Sequence, residues 1–415
     1  MKFQMSLLVF LLSAIVTAAF WAVLPQSWRV NESSDFIYYY DPVARQILGG
    51  KGLTLPSGDL ALRYPPGYPA VLVIVLGISN SLGISQATAM SAWILVCTSL
   101  SSTLLFLLAS RVFDLQTGLI SALLWITYPF QLWLTKQPNS EIPFMVFIFA
   151  SVFLFWRFMT ATSPHFVGLL TVGLLAGTAS LVRPIAIGMA GIFIGFLFLQ
   201  TAWRLRSRLI GVVAILVGSL AVILPWETWV YSQTQRIIPL STGGAPSVWD
   251  GLTYAVDDER VIGSVPARAN DLMISLLNRS KGQPAITFSG LLTILGEEAA
   301  RNPQGAVQLL CLKAARSWYG TDSGRLELTN VIVQGVYLIA IVWGGLAIWQ
   351  SDEIKRRYLV FVVILMLYFW LMTLSALSIL RYMVPIMGLL ITLIPAGVWR
   401  FPGAKAILNR WMPLK

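Results

Sequence analysis

The chain has 415 residues, 57% of them hydrophobic and only 11% charged, with a mean hydropathy of +0.74. A soluble domain of this size needs far more charge on its surface, so the composition excludes one and indicates an integral membrane protein. One histidine, His165, and two cysteines, Cys97 and Cys311, leave no His-based triad, disulfide framework or Cys/His metal cluster.

In chain order, the first apolar run, 7–24, follows a single Lys2 and lacks a small-x-small cleavage site, so it reads as a retained span. The stretch 31–52, NESSDFIYYYDPVARQILGGKG, follows it directly. There Asp41 suits an N-cap, Pro42 the first helical position and Gly49-Gly50 a stop, so a short surface helix is expected with Asp35 and three tyrosines at its mouth. The run 68–83 is apolar but short and bracketed by Pro65-Pro66 and Asn80-Ser81, which suits an interfacial or re-entrant helix. Further spans are expected at 88–110, 117–134, 142–159, 166–182, 184–202, 209–226, 330–349, 358–376 and 382–399, about ten in all. Cys97 falls inside one of them, as a small core hydrophobe. The organisation is thus a transmembrane module over 1–226 with its first outer loop at 25–87, a large outer segment over 227–329, and closing helices with a tail over 330–415. Within the outer segment, 296–303 and 306–318 read as an amphipathic helix pair.

Threading these spans from an inside N-terminus puts thirteen of the twenty-nine Lys and Arg on the cytoplasmic side, in clusters such as Arg204, Arg206, Arg208 and Lys355, Arg356, Arg357. Only Asp114, Asp352 and Glu353 of the eighteen acids join them. The positive-inside rule then sets the orientation, with both termini cytoplasmic. The net charge of +11 is a topology signal, and no nucleic-acid partner is implied.

The polar residues that are expensive in such a chain gather at outer helix ends: Asp35, Glu141, Arg183, Glu227 and Arg381-Tyr382. Carboxylates (Asp35, Glu141) and cations (Lys51, Arg63, Arg183, Arg381) on one face could hold a phosphate and activate a nucleophile. No P-loop or GxGxxG motif is present, so a lipid-borne phosphate fits better than a cytoplasmic nucleotide.

Several motifs in order carry a resemblance. They are Asp35, Tyr39 and Ala44 leading to Leu48-Gly49-Gly50-Lys51-Gly52; Arg63-Tyr64-Pro65-Pro66-Gly67-Tyr68-Pro69; Glu141 with Pro143; Leu181-Val182-Arg183-Pro184; Leu224-Pro225-Trp226; and Arg381-Tyr382-Met383-Val384-Pro385. With these the chain resembles the C-type (GT-C fold) membrane glycosyltransferases, in the branch with protein O-mannosyltransferases and the lipid A aminoarabinose transferase. Two departures stand out: a single acid in Asp35-Phe36, and Ser140-Glu141 where the family has Thr-Glu.

The resemblance implies an all-α GT-C membrane fold with outer juxtamembrane helices. It implies an inverting transferase that moves a sugar from a polyprenyl-phosphate donor to a lipid, glycan or protein acceptor on the outer, periplasmic face of a bacterial inner membrane. Asp35 is then the general base and Glu141 its assistant. Arg183, Arg381, Arg63 and Lys51 are candidates for the carrier phosphate, and Tyr39, Tyr64 and Tyr382 for sugar or acceptor. No cofactor is required, although Asp35 and Glu141 together could hold a divalent ion. Two other readings remain: a lipid-linked sugar flippase or exporter, and a glycan ligase or polymerase. Transport is disfavoured by spans that are clean in their middles and by the lack of a visible repeat.

Overall fold

The computed structural model describes residues 2–29, 33–200, 203–257, 265–280 and 288–398. Asn31 and Glu32 of the first outer stretch, the end of the span expected at 184–202, and the tail cations Arg400, Lys405, Arg410 and Lys415 lie outside the described residues. Among the described residues the regular elements are helical, with one isolated bridge between Thr54 and Leu60.

Six helices are long and apolar enough to cross a bilayer: Lys2–Val23, Gln86–Val112, Glu141–Met159, Leu205–Thr234, Glu327–Trp349 and Glu353–Ser375. The four other expected spans correspond to shorter apolar helices, Leu115–Ile126, Phe166–Val182, Pro184–Phe198 and Leu380–Ile391. Their shortness has local causes. The run expected over 117–134 breaks at Thr127, because Pro129 starts a separate helix, Pro129–Leu134. The run expected over 184–202 opens with a 3₁₀ turn, Pro184–Ala186, before Met189–Phe198. The segment read as interfacial forms a 16-residue helix, Gly67–Leu82, with Tyr68, Leu72, Val75 and Leu76 buried.

The chain divides into two compact units. The first comprises 1–240, 340–365 and 385–415. In it Phe166–Val182 packs closely on Leu205–Thr234 through small residues. A Cβ at Gly173 would lie 2.2 Å from the carbonyl oxygen of Ile215, and one at Gly218 would lie 2.2 Å from that of Leu170. Close backbone approach is how helices associate where lipid removes the hydrophobic drive between them. The interior is largely aromatic, with Trp125, Phe149, Phe155, Trp156 and Phe361 buried, and Cys97 is buried as expected.

The second unit comprises 241–339 and 366–384. The expected amphipathic pair is present as Phe288–Arg301 and Pro303–Arg316. Together with Gly244–Asp257 and Ala267–Ser280 they enclose a core that includes Leu252, Leu272, Met273, Leu276, Leu291 and Leu309. Glu298, buried beside it, accepts from Arg279 at 3.0 Å and from Arg301 at 2.8 Å.

Lys313 is also buried here, and its Nζ donates to the carbonyls of Gly251 and Ala376, both at 2.7 Å. Burial pushes its ammonium down to about 7. Below that pH both folded and unfolded chains hold the proton. Between about 7 and the ordinary lysine value of roughly 10.4 the unfolded chain binds more protons, so stability rises with pH through this window. Thermal unfolding of wild type and Lys313→Met from pH 7 to pH 9.5 should show the rise in the wild type and a flatter profile in the variant.

Candidate active site

The first wall of the site is the stretch after the first span. Its helix starts at Ser34, seven residues before Asp41, because Ser33 caps it: the Phe36 N–H reaches the Ser33 carbonyl at 3.0 Å and its Oγ at 3.2 Å. Asp41 is therefore not the N-cap the sequence suggested. It has helical dihedrals (φ −66°, ψ −46°) and its carboxylate takes Arg45 Nε at 2.6 Å. Between Ser34 and Asp41 the chain makes a π-helical turn, Phe36–Tyr40. Such wide turns are rare and concentrate at functional sites. This one buries Tyr39 and Tyr40 while Tyr38 points out, 77% exposed. The expected glycine stop is present: Gly50 has φ +74° and the Lys51 N–H returns to the Gln46 carbonyl at 2.9 Å.

The second wall is the Arg63-Tyr64-Pro65-Pro66-Gly67 turn. Tyr64 Oη donates to Asp35 Oδ1 at 2.9 Å, which holds the carboxylate from the side. Tyr39 Oη in turn clamps the Tyr64 backbone, donating to its carbonyl at 3.1 Å and accepting from its N–H at 3.2 Å. Burial raises the Tyr39 hydroxyl to about 12, so it stays protonated and keeps this clamp. The Tyr40 ring lies 5.1 Å from Tyr64 and 4.9 Å, edge-on, from Tyr68. Gly67 sets the approach of this wall to the third. A Cβ there would lie 2.4 Å from the backbone carbon of Leu181, in the Leu181-Val182-Arg183-Pro184 hairpin.

The third wall supplies the ion pair. Arg183 Nη1 lies 2.8 Å from Glu141 Oε1 and donates to Ser140 Oγ at 2.8 Å. Glu141 is 1% exposed, and this guanidinium is a counter-ion for it. The Tyr40 hydroxyl joins the walls electrically. Burial raises its pKa, the Arg183 charge opposes that, and Tyr64, Asp35 and Glu141 add to it. Asp35, Glu141, Arg183, Tyr39 and Tyr64 thus come together at one end of the first unit.

Other candidates are placed differently. Arg63 is exposed, with its guanidinium 5.6 Å from the Tyr64 ring centre. Lys51 is exposed at the far end of the helix that starts at Ser34, roughly 20 Å from Asp35 at the usual rise per residue. Arg381 and Tyr382 belong to the second unit, where Arg381 Nη1 lies 3.9 Å from Asp322 Oδ2. Glu227 has a backbone role: Oε1 accepts from the Leu240 N–H at 2.7 Å while Trp226 Nε1 donates to the Leu240 carbonyl at 2.8 Å. Together they hold Leu240 at φ +57°.

Sequence reasoning missed Ser140 as a partner of Arg183 and Tyr40 as the ring between Tyr64 and Tyr68. Neither side chain differs in type from an ordinary interfacial residue, so no local signal marked them. Among the described residues no group of three His, Cys, Asp or Glu gathers to hold a metal. A divalent ion at this site would rest on Asp35 and Glu141, and Glu141 already has Arg183 as counter-ion.

This fold is that of the C-type membrane glycosyltransferases. The family model described as dolichyl-phosphate-mannose-protein mannosyltransferase matches residues 64–229, a stretch that holds Tyr64, Gly67, Glu141 and Arg183. Among solved structures, the chain superposes on the oligosaccharyltransferase AglB from Archaeoglobus fulgidus, in complex with an inhibitory peptide and a dolichol-phosphate, with a TM-score of 0.62 at 15% identity. An apo crystal structure of the Archaeoglobus fulgidus oligosaccharyltransferase gives 0.61 at 13% identity. These matches cover 100% and 99% of this chain and 52% of the other in each case, so the chain spans about half their length. ArnT from Cupriavidus metallidurans, bound to undecaprenyl phosphate, aligns at 15% identity over 95% of this chain and 76% of its own, with a TM-score of 0.42. No curated protein matches the sequence.

Proposed function

We propose that the protein is an inverting glycosyltransferase that takes a sugar from a polyprenyl-phosphate carrier and passes it to an acceptor on the outer face of the membrane. The observation that carries this reading is the convergence of Asp35, Tyr64 and the Glu141–Arg183 pair at one helix-bundle end. Asp35 is within reach of solvent yet fixed in direction by Tyr64, as a base must be. In the reaction it removes the acceptor's proton as the acceptor heteroatom bonds to the anomeric carbon. The bond from that carbon to the phosphate oxygen breaks, and the lipid phosphate leaves with the electron pair. Arg183 suits the growing negative charge on that phosphate through its fixed donor fork. Glu141 and Ser140 position the guanidinium.

Transfer of labelled sugar from a purified polyprenyl-phosphate monosaccharide to membrane extract tests the reading. Turnover supports it; release of label only from a lipid-linked oligosaccharide would replace it with the ligase reading, and movement of intact donor between leaflets with the flippase. The Tyr64 contact adds a finer expectation. Tyr64→Phe keeps the ring and removes one hydrogen bond to a charged acceptor, so kcat should fall roughly tenfold with expression and melting temperature unchanged.

A further inference from the structure

Tyr39, Tyr40 and Tyr64 stand around Asp35, and two of their three hydroxyls are engaged within the chain. Tyr64 Oη donates to Asp35 Oδ1 at 2.9 Å, and Tyr39 Oη holds the Tyr64 backbone at both its carbonyl and its N–H. Tyr40 is 7% exposed, and its hydroxyl makes no hydrogen bond among the described residues. Nor does the fold seal that hydroxyl away, as it does both polar atoms of the Gln131 side chain. Buried polar groups are normally paired, so an accessible hydroxyl left over beside charged residues calls for an acceptor from outside the chain.

The ring that carries this hydroxyl is held on several sides. The π-helical turn Phe36–Tyr40 turns Tyr39 and Tyr40 inward together, although they are consecutive in sequence. Tyr40 then packs 5.1 Å from the Tyr64 ring, and edge-on to Tyr68 at 4.9 Å and to Tyr39 at 5.7 Å. Burial keeps its proton in place, and of the groups around it Arg183 acts on it most strongly, ahead of Tyr64, Asp35 and Glu141. The guanidinium therefore dominates the field at this hydroxyl, which cannot serve as a base and is a permanent neutral donor. Arg183 already gives Nη1 to Glu141 and to Ser140. A phosphate beside it thus meets a guanidinium whose charge is partly offset. That phosphate gains negative charge as the sugar leaves, and a neutral O–H adds a donor without a second buried cation to desolvate.

Resting on the transferase reading above, we infer that Tyr40 is a substrate-binding residue whose hydroxyl donates a hydrogen bond to the phosphate of the lipid carrier, beside Arg183. No proton is transferred in this contact. It strengthens as the bond between the phosphate oxygen and the anomeric carbon breaks and the electron pair stays on the phosphate.

Tyr40→Phe keeps the ring contacts and removes only the oxygen. The full-length protein in detergent is titrated with polyprenyl phosphate, and with polyprenol as the phosphate-free probe, by native mass spectrometry. Wild type should retain polyprenyl phosphate in preference to polyprenol. Tyr40→Phe should lower retention of the phosphate roughly tenfold while holding polyprenol as wild type does. Its melting temperature without ligand should not fall, because the hydroxyl has no partner in the fold to lose; a fall would give it a structural role and overturn the inference. Tyr38→Phe removes the same oxygen from a side chain that is 77% exposed and should retain both probes as wild type does. Equal retention of polyprenyl phosphate by wild type and Tyr40→Phe would overturn the inference and leave the transferase reading standing. So would a loss shared with polyprenol or with Tyr38→Phe, since the phosphate would then not be what Tyr40 recognises. A wild type that does not distinguish polyprenyl phosphate from polyprenol would instead remove the carrier reading itself, and this inference with it.

Discussion

Asp35→Asn is expected to abolish sugar transfer, lowering kcat by at least about 10² while leaving membrane insertion and melting temperature intact. The substitution keeps shape and retains an oxygen to accept from Tyr64 Oη, now at 2.9 Å from Asp35 Oδ1, so the wall built by Tyr39, Tyr40 and Tyr64 stays in place. What it removes is the ability to take a proton. Donor binding should survive, because in the proposed reaction the phosphate is held by Arg183 and not by this carboxylate. Labelled donor retained without turnover is therefore the expected pattern. Full activity in Asp35→Asn would remove the base from this residue.

Arg183→Ala should be the most damaging single change to both stability and activity. Glu141 is 1% exposed and Arg183 Nη1 is 2.8 Å from its carboxylate. Removing one partner of a buried ion pair leaves the other charge uncompensated, at a cost of about 3–5 kcal/mol. The double variant Arg183→Ala with Glu141→Gln removes that charge and should recover most of the melting temperature. It should not recover transfer, because the proposed phosphate contact is still missing. A double variant as unstable as Arg183→Ala alone would show that the arginine matters through packing over Phe144, 6.0 Å from its guanidinium carbon, rather than through the pair.

The sequence alone was enough for the class of fold. Apolar runs of spanning length, and cations clustered as Arg204, Arg206, Arg208 and Lys355, Arg356, Arg357, require only chain-local quantities. It was enough, too, for which residue types stand at helix ends, since a charge flanked by apolar runs has nowhere else to be. Breaks in the spans were less legible. Pro129 and Pro184 mark them, but whether a proline kinks a helix or ends it depends on what packs around the freed carbonyls.

The start of the helix carrying Asp35 shows the limit. Asp41-Pro42 reads as a helix beginning, yet Ser33 caps the chain earlier and a π turn carries it through to Asp41. Local propensity cannot show this, because burying Tyr39 and Tyr40 against Tyr64 and Tyr68 is what favours the wider turn. Asp35, Glu141 and Arg183 were each legible as polar residues in expensive places, and Tyr64 only through the motif it belongs to. Only the tertiary structure decided that Tyr64 holds Asp35 and that Arg183 holds Glu141. Those pairings span twenty-nine and forty-two positions, and Gly67 lets the wall that carries Tyr64 come against the Leu181 backbone beside Arg183, where any side chain would keep the two apart.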